Sequence, residues 1–505
     1  MASLRQTEHL YAIFVHAGAG YHSRDNEEMH LEACKNAAEA GMNILRSGGT
    51  AVDAVEVAIM TFEDTPVTNS GYGSNLTSSG EVEGDATIVD HFGRSGACGA
   101  VPTVKNPIML ARKIYDQAHS APGISRIPPN LLVGQGAADF AWDNGLLLVD
   151  PEHLIAPGPR ARHETWCKDV AAFESKNPDS GKRKKFLKWI RRPGIRTLDQ
   201  TDIPESDTER VSPASGDSRV HGNGSIRIGR PESPEDSDGH DSDGHGSGFH
   251  SESPEVVSGS SQECSESASA DCKSDPKAYQ QNAPPNDDQA NSRAGLANLM
   301  DPKIDNNDKI TDTVGVIAVD SLGNIAAGSS SGGIGMKHRG RVGPAALVGI
   351  GTYVLPANPD DPDKTTVATC TSGTGEHIAS TLAASTAARR IYYSQRKNSE
   401  GHLVSVCEEE ALADMIKHDY HGHPALINTE IEGSIGIMSV KKDIEGISFI
   451  FAHSSDSFAL ASMSSSDEEP SCLMSRITRS GATALGGLYF EYPAAGIRLQ
   501  TQDFD

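Results

Sequence analysis

The first 176 residues carry a hydrophobic pattern that predicts a mixture of strands and helices. Residues 10–16 form a short apolar run that is typical of a buried strand. Apolar positions at helical spacing predict helices over residues 27–45 and 51–62. Further strands are expected at 81–89, 96–101 and 131–133, and further helices at 107–117, 135–143 and 165–174.

A second patterned part begins at residue 313 and predicts the same two kinds of element. Val314, Val316 and Ala318 alternate with small or apolar neighbours, which indicates a buried strand. Further strands are expected at 324–329, 366–370, 434–440 and 446–452. One helix is expected to follow residues 371–377 and to end at residue 390, and another is expected over 408–417. Because strands and helices occur in both parts, the pattern predicts an α+β fold built in layers.

The stretch between these parts, residues 177–312, lacks such a pattern. Residues 197–310 contain only two aromatic residues, Phe249 and Tyr279, and are rich in Ser, Asp, Gly and Pro. Such a composition cannot bury enough apolar surface to fold by itself. We therefore predict a first half of the folded domain (1–176), a disordered acidic and Ser-rich insert (177–312) and a second half (313–505).

Two clusters in the insert allow more than one interpretation. Residues 182–185, with the sequence KRKK, begin a basic cluster that fits a nuclear import signal or a solvated charge run. His240, His245 and His250 lie among acidic residues and could hold a metal ion weakly. In a disordered segment the solvated interpretation is favoured, so no metal site is predicted.

Charge and cysteine content exclude several classes of protein. A formal charge of −25 argues against a nucleic-acid-binding protein, whose contact surface is normally basic. The eight cysteines show no CxxC spacing, so neither a zinc site nor a disulfide framework is expected. Residues 1–8 are polar and no apolar run approaches 18 residues, so no secretory signal or transmembrane helix is expected. We predict an intracellular protein, cytoplasmic, nuclear or both, without direct nucleic-acid or membrane partners.

Thr313 has a position that suits one particular chemistry. If the bond between Asp312 and Thr313 breaks, Thr313 gains a free α-amine beside its own hydroxyl. Such an amine has a pKa of about 7.7–8.0, so it can act as a base at neutral pH. An N-terminal amine is one of the known ways to activate a threonine hydroxyl as a nucleophile. Taken alone, the stretch is more typical of an ordinary core strand.

Seven motifs, taken together, resemble one family of hydrolases. In chain order they are VHAGAGYHS, TNSGYGSNL, GEVEGDATIVD, the TVG strand, SSSGG, GRVG and TSGTGEH. This order is similar to that of N-terminal-nucleophile hydrolases of the plant-type asparaginase group. Within that group, RIPP at 126–129, LVGQGA and MKHRGRVGPAAL look more like threonine aspartase (taspase) than like the small asparaginases.

The resemblance implies a fold and a maturation step. The fold is an αββα sandwich, made as one precursor that cleaves itself at Asp312-Thr313. The products are an α chain (1–312) and a β chain (313–505) that stay together as a heterodimer, and two such pairs can associate. The reaction needs no cofactor, and the family analogy also allows a structural sodium in the loop before Asn69.

The resemblance also assigns the site residues. Thr313 is the nucleophile, Ser331 positions it and assists proton movement, and Asn69 lies near the oxyanion. Arg341 matches the arginine that binds a substrate carboxylate, for which a planar guanidinium offers two parallel N–H donors. Three residues of the TSGTGEH loop are assigned to contacts with the substrate, with the Ser372 hydroxyl counted as catalytic; they are Ser372, Gly373 and Gly375.

Two departures from the family pattern bear on the substrate. Small asparaginases have an acidic residue three positions after this arginine, which holds the free α-amino group of the substrate. Here that position is Pro344, so the site favours an aspartate inside a polypeptide. Against this, the lysine-rich stretch that follows HS in threonine aspartase is replaced by RDNEE at residues 24–28.

The main prediction is a threonine endopeptidase that cleaves protein substrates after an internal aspartate. One alternative is asparaginase or isoaspartyl aminopeptidase activity on the same fold. A second is a non-processing scaffold whose acidic insert recruits partners. A third takes Ser330 as the nucleophile of a GxSxG motif, but this needs a helix directly after the serine, and the glycine-rich residues 332–335 are poor helix formers.

Overall fold

The computed structural model describes six ranges of the chain, which are residues 10–119, 127–176, 313–429, 431–477, 481–492 and 498–500. The predicted insert lies outside the described residues, and so do Asp312, the basic cluster, the three insert histidines and Arg126.

Two large sheets and one small ribbon contain the strands of the described residues. The larger sheet consists of β1 (Ala12–Gly20), β2 (Gly84–Val89), β3 (Ser95–Val101), β4 (Leu131–Val133), β5 (Val314–Val319), β6 (Ile325–Ser331), β13 (Ser457–Ser464) and β14 (Ser471–Arg476). The second sheet consists of β7 (Thr352–Leu355), β8 (Thr366–Gly373), β11 (Ile435–Lys442), β12 (Gly446–His453), β15 (Ala484–Glu491) and β16 (Arg498–Gln500). The ribbon pairs β9 (Gln395–Lys397) with β10 (Leu403–Ser405).

The α-helices of the described residues follow in chain order. They are α1 (Glu27–Arg46), α2 (Ala51–Glu63), α3 (Pro107–His119), α4 (Gly134–Asp143), α5 (Pro157–Lys176), α6 (Gly375–Thr381), α7 (Ala383–Tyr392), α8 (Glu408–Asp414) and α9 (Pro424–Ile427). A π-helical segment, Met415–His421, continues α8. No helix of the described part is both long and apolar enough to cross a membrane.

Alternation along the central strands produces the layers. Ile13 on β1 and Val316 on β5 pack with α1, α2 and α3 in one core cluster. Phe14 and Ile317, one position further along each strand, pack against residues of the second sheet such as Met438. The outer face of that sheet packs against α7 and α8. The order is therefore helices, sheet, sheet, helices, and the predicted α+β class is confirmed.

The strand β5 lies between β1 and β6 in the larger sheet, whose order is β14-β13-β1-β5-β6-β2-β3-β4. Residues from both predicted halves of the domain thus alternate within one sheet. β1 pairs with β5 and β5 with β6, each antiparallel. The two stretches cannot form separate domains, because each supplies hydrogen-bonding neighbours to the other.

Several predicted boundaries shift, and each shift has a local cause. β1 continues through residues 17–20 with a register irregularity, because pairing with β13 satisfies the glycine-rich end. β6 and β8 extend to Ser331 and Gly373, residues expected in loops. The predicted helix ending near 390 is interrupted at Leu382, which adopts a left-handed conformation with φ 51°. The strands expected at 434–440 and 446–452 form the hairpin of β11 and β12, and four further strands, β13 to β16, follow it.

Glu63, the last residue of α2, connects the helical layer to the larger sheet. It is fully buried, and its Oε1 accepts hydrogen bonds from the Ser330 hydroxyl (2.6 Å) and the Ile108 N–H (3.0 Å). Burial raises the pKa of Glu63 to about 8, although these hydrogen bonds oppose the shift. At pH 7 the folded protein therefore holds this carboxyl largely in its neutral form.

We expect Glu63→Gln to remove part of the pH dependence of stability. Between its ordinary pKa of 4.5 and about 8, the unfolded state releases a proton that the folded state keeps. The contribution of Glu63 to folding is therefore present below pH 4.5 and is lost as pH rises through 8. Melting temperatures at pH 5, 7 and 9 should fall less steeply in the variant. Glu152→Gln, at an exposed side chain, is the control, and equal slopes in all three proteins would contradict the expectation.

Candidate active site

Thr313 lies at the entrance to β5 and faces Ser331 on the neighbouring strand. The two strands pair with Val314 opposite Ser330, so the next step of this register puts Thr313 opposite Ser331. Opposite residues of an antiparallel pair project from the same face, with Cβ atoms about 4.5–5.5 Å apart. Thr313 is 8% exposed and Ser331 is 4% exposed. The register thus puts the two predicted residues opposite each other, and both are nearly buried.

The same row continues to Asp85 on β2. Ser331 pairs with Asp85 across β6 and β2. Asp85 is fully buried, and its Oδ1 accepts a hydrogen bond from the Ala100 N–H at 2.8 Å, where the register of β2 and β3 shifts. Such irregularities often re-aim side chains beside active sites. We call Thr313, Ser331 and Asp85 the cross-strand row.

His16 covers the side of this row nearest to β1. It pairs with Gly315, and a Cβ atom on Gly315 would lie 2.2 Å from His16 Nε2 and 2.9 Å from the Cys370 Cβ. Only glycine therefore fits two residues after Thr313. Burial lowers the pKa of His16 to about 3, while its proximity to the Thr313 main chain opposes this shift. His16 is neutral at pH 7, and the sequence analysis gave it no role.

Asn69 is held against the loop that follows Ser331. Its Nδ2 donates to the Gly333 carbonyl (2.9 Å), and its Oδ1 accepts from the Asn75 N–H (2.8 Å). Its own carbonyl accepts from the Gly332 N–H at 2.8 Å. The Gly333 N–H in turn donates to the Ser331 hydroxyl at 2.9 Å. The side chain predicted to lie near the oxyanion is therefore in the same loop cluster as Ser331.

Ser330 points to the opposite side of the sheet. Its hydroxyl donates to Glu63 on α2, and it is fully buried. β6 ends at Ser331, and residues 332–343 contain no helix. Because a nucleophile elbow requires a helix directly after its serine, the GxSxG alternative does not fit this geometry.

Ser372 and Gly373 form the end of β8 in the second sheet. The Ser372 hydroxyl is fully buried and accepts a hydrogen bond from the Ala19 N–H at 3.0 Å. Gly373 has φ +130°, and a Cβ atom there would lie 2.3 Å from the Ser434 carbonyl oxygen. The end of β8 is thus fastened to the glycine-rich end of β1, the strand that also carries His16.

The guanidinium of Arg341 packs closely against three glycines. Cβ atoms on Gly333, Gly343 and Gly375 would lie 2.8, 2.4 and 2.5 Å from its guanidinium nitrogens. Glu376 accepts hydrogen bonds from Arg341 Nε (3.2 Å) and Nη2 (3.1 Å). The Arg341 side chain is 15% exposed and that of Glu376 is 59% exposed. A solvent-facing carboxylate contributes little stability in such a pair, so a ligand carboxylate can share or replace it.

The charges behind Arg341 are buried. Asp85 Oδ2 accepts a hydrogen bond from the Gly343 N–H at 2.8 Å, and Lys337 Nζ donates to the Glu83 carbonyl. Burial raises the pKa of Asp85, although Lys337 and Arg341 oppose this shift. Burial lowers the pKa of Lys337, although both acidic residues oppose it. These residues belong to two motifs that were noticed in the sequence, but sequence reasoning gave them no role.

One predicted residue lies outside the described part of the chain, and one acidic residue near the site was not predicted. The acyl side of the predicted cleavage, Asp312, lies outside the described residues. Glu376 is an acidic group beside Arg341 that sequence reasoning missed, although it follows directly on the predicted Gly375. Within the described ranges, no group of three or more His, Cys, Asp or Glu side chains is arranged to hold a metal ion.

A family model described as asparaginase matches residues 9–187 and 260–444 of this chain. Among curated proteins, the isoaspartyl peptidase/L-asparaginase of Bos taurus is 38% identical over 172 residues, which are 34% of this chain and 52% of that protein. The protein of the same name from Homo sapiens is 41% identical over 154 residues, which are 30% of this chain and 47% of that protein.

A putative isoaspartyl peptidase/L-asparaginase of Dictyostelium discoideum is 36% identical over 149 residues, which are 28% of this chain and 40% of that protein. The chain therefore spans about half the length of the curated relatives that it matches. The family model, in contrast, matches more than half of the chain. The family resemblance predicted from the motifs is thereby confirmed, and this chain belongs to the asparaginase family of N-terminal-nucleophile hydrolases.

Proposed function

We propose that this chain is a threonine hydrolase that cleaves itself before Thr313 and then hydrolyses bonds to an aspartyl carbonyl. The observation that carries the proposal is the position of Thr313, which directly precedes β5 and, by the register of β5 and β6, lies opposite Ser331. Asn69 is hydrogen-bonded to Gly333 in the loop after Ser331, and the same glycine lies against the Arg341 guanidinium. Each of these groups suits one part of an acyl transfer. No metal or redox group is needed for the steps described below.

In the first step the Thr313 hydroxyl attacks the carbonyl carbon of Asp312. The bond from that carbon to the Thr313 nitrogen breaks, the hydroxyl proton ends on the nitrogen, and an ester forms. Water then hydrolyses the ester, which restores the hydroxyl and leaves Thr313 with a free amine. Ser331 is placed to assist these proton movements.

In the second step the freed amine takes the proton of the Thr313 hydroxyl, which attacks the substrate carbonyl. The leaving amine or ammonia accepts the proton, and water releases the aspartyl product from the acyl-enzyme. Asn69 supports the oxyanion, a contact worth about 3 kcal/mol in the transition state of comparable enzymes. Arg341 holds a substrate carboxylate.

Cleavage leaves chains 1–312 and 313–505, and we propose that they remain one heterodimer. β5 would stay hydrogen-bonded between β1 and β6 of the larger sheet, because breaking a peptide bond outside the strand removes none of those bonds. Association of two such pairs and a cytoplasmic or nuclear location are parts of the proposal that follow from the family resemblance and the charge pattern.

Two substrate classes fit this reaction, and the comparisons favour the first. The relatives carry the name isoaspartyl peptidase/L-asparaginase, and the same reaction in this chain would release aspartate from asparagine or from a β-aspartyl dipeptide. The pair of Arg341 and Glu376 offers one cation and one carboxylate. A free amino acid presents the complementary α-carboxylate and α-ammonium.

One observation favours the second substrate class, an aspartate within a polypeptide. Pro344 stands three residues after Arg341, where a small asparaginase carries an acidic residue, and a proline side chain cannot bind an α-ammonium group. Asp312 also stands on the acyl side of the predicted self-cleavage, so one specificity would serve both steps. In this case the protein is a threonine aspartase, with Arg341 bound to the aspartate side chain.

We expect the purified protein to contain a fragment that begins Thr313-Val314-Gly315, and Thr313→Ala to remain one chain. The substitution removes the only group that the proposed first step uses as a nucleophile. Intact-mass measurement and N-terminal sequencing check this. Ser330→Ala is the matched control, since its hydroxyl faces Glu63 and cleavage should persist. Processing of Thr313→Ala at the same bond would disprove the assignment.

We expect Arg341→Ala to process normally but to raise KM about 10- to 100-fold. A charge-assisted bidentate contact is worth about 1.5–3 kcal/mol, and the first step does not need it. Steady-state kinetics of the fully processed variant check the expectation. Arg160→Ala, at a half-exposed side chain bound to the exposed Glu152, is the control. An unchanged KM for Arg341→Ala would remove the residue from the substrate site.

We expect Glu376→Gln to separate the two substrate classes. For L-asparagine and a β-aspartyl dipeptide, loss of the carboxylate should raise KM by about tenfold, because the α-ammonium loses its partner. For an N-terminally blocked peptide with an internal aspartate, KM should not rise, since no α-ammonium is present. If the wild-type protein turns over the blocked peptide but neither small substrate, it is an endopeptidase. If it turns over the small substrates but not the blocked peptide, it is an amidohydrolase.

A further inference from the structure

Two acidic side chains, Glu83 directly before β2 and Asp85 on β2, hold the loop around Arg341 at both of its ends. Glu83 Oε2 accepts a hydrogen bond from the Gly340 N–H at 2.7 Å, and Asp85 Oδ2 accepts one from the Gly343 N–H at 2.8 Å. These glycines flank Arg341 in sequence. We call residues 340–343 the arginine loop.

Asp85 also belongs to the cross-strand row. Its main chain pairs with Ser331 on β6. By the register of β5 and β6, Ser331 in turn lies opposite Thr313. The second oxygen of Asp85, Oδ1, accepts from the Ala100 N–H, a residue held at φ 46°. One rigid carboxylate therefore connects the strand row that carries the nucleophile to the loop that carries the arginine.

Burying these acidic side chains costs free energy of folding, which their hydrogen bonds must offset. Asp85 is fully buried and Glu83 is 5% exposed, and a buried carboxylate is tolerated only when it is paired and hydrogen-bonded. Lys337, itself 2% exposed, interacts electrostatically with both acidic side chains. Three buried polar side chains thus hold the loop, an arrangement that suits a loop whose position matters to the chemistry.

The steric arrangement shows what the anchor positions. A Cβ atom on Gly343 would lie 2.4 Å from Arg341 Nη1 and 3.0 Å from Asp85 Oδ2. The guanidinium thus folds back over the glycine that Asp85 holds. Because the guanidinium packs directly against Gly343, any shift of Gly343 would move the guanidinium as well.

We propose that Asp85 is a positioning residue that sets the distance between the Arg341 guanidinium and the Thr313 hydroxyl, with Glu83 as a second anchor. The inference rests on the proposed function, in which Arg341 holds the substrate carboxylate while Thr313 attacks the carbonyl. Displacement of the guanidinium would weaken its charge-assisted contact with the substrate carboxylate, and a loss of binding of this kind appears in KM. The self-cleavage step does not depend on this distance.

The test uses the full-length, self-processed protein and the substrate that the wild type turns over, whether L-asparagine, a β-aspartyl dipeptide or the blocked aspartyl peptide. Asp85→Asn keeps the size of the side chain but replaces one acceptor oxygen with an NH2 group. This donor would face a main-chain N–H, which is also a donor, so one of the two hydrogen bonds would be lost. Glu83→Gln does the same at the other anchor. Glu81→Gln is the matched control, because Glu81 lies on the same segment and contacts the half-exposed Arg339 without reaching the arginine loop glycines.

We expect Asp85→Asn to process itself and to show a KM raised about tenfold with kcat changed less than threefold. The inhibition constant of free L-aspartate, a carboxylate product that needs no chemistry, should rise in parallel. Glu83→Gln should show a smaller shift in the same direction, and Glu81→Gln none. A purely structural role would lower the melting temperature without moving KM.

Several results would overturn the inference. An unchanged KM in both Asp85→Asn and Glu83→Gln would do so, and so would a fall in kcat alone, which would place Asp85 with the nucleophile instead of the arginine. If Asp85→Asn fails to fold, the KM of Glu83→Gln decides in the same way. Arg341→Ala separates this inference from the proposed function, since a normal KM in that variant would refute the carboxylate site itself.

Discussion

The insertion of β5 between β1 and β6 is the constraint on which the rest of this structure depends. Antiparallel pairing fixes every cross-strand neighbour once one pair is set. Val314 opposite Ser330 brings Thr313 to Ser331, and His16 opposite Gly315 covers the other side. A shift of one residue would turn the Thr313 side chain to the helical layer and separate it from all of these groups.

Polar groups gather where the apolar layer between the sheets ends. Along β5 the inward positions read Ile317, Gly315 and Thr313, and along β1 they read Phe14 and His16. The change from aliphatic to polar occurs at the same level on both strands. Burial there keeps His16 neutral and raises the pKa of Asp85, so charges inside the site are restricted to groups with hydrogen-bonded partners.

The second feature that organises the site is the space made by glycines. Three of them admit the Arg341 guanidinium, and each would collide with it if it carried a Cβ atom. The arginine therefore lies close against the loop and is partly shielded from solvent, and its ion-pair partner is the exposed Glu376. Family membership accounts for the order of the motifs, whereas under the proposed function the groups immediately around this arginine select between a free amino acid and a polypeptide as substrate.

The local pattern of the sequence was sufficient for much of the fold. α1, α2, α3 and β4 form where periodicity and helix signals predict them, and Thr50 caps α2 through a capping box with Asp53. These features depend on neighbours within a few residues, so a window of sequence contains the physical cause. The strands β13 to β16 were not predicted. For β13 the reason is that it pairs with β1, a partner that lies far away in the sequence and outside any local window.

By itself, the sequence determined the order of motifs, the threonine at the start of a strand and the arginine in a glycine-rich turn. Only the tertiary structure decided which side chains meet. Asp85 lies opposite Ser331 although 246 positions separate them in the chain, and Glu376 reaches Arg341 from the helix after β8. Such contacts depend on strand register and on the packing of two sheets, and no local pattern of residues encodes either one.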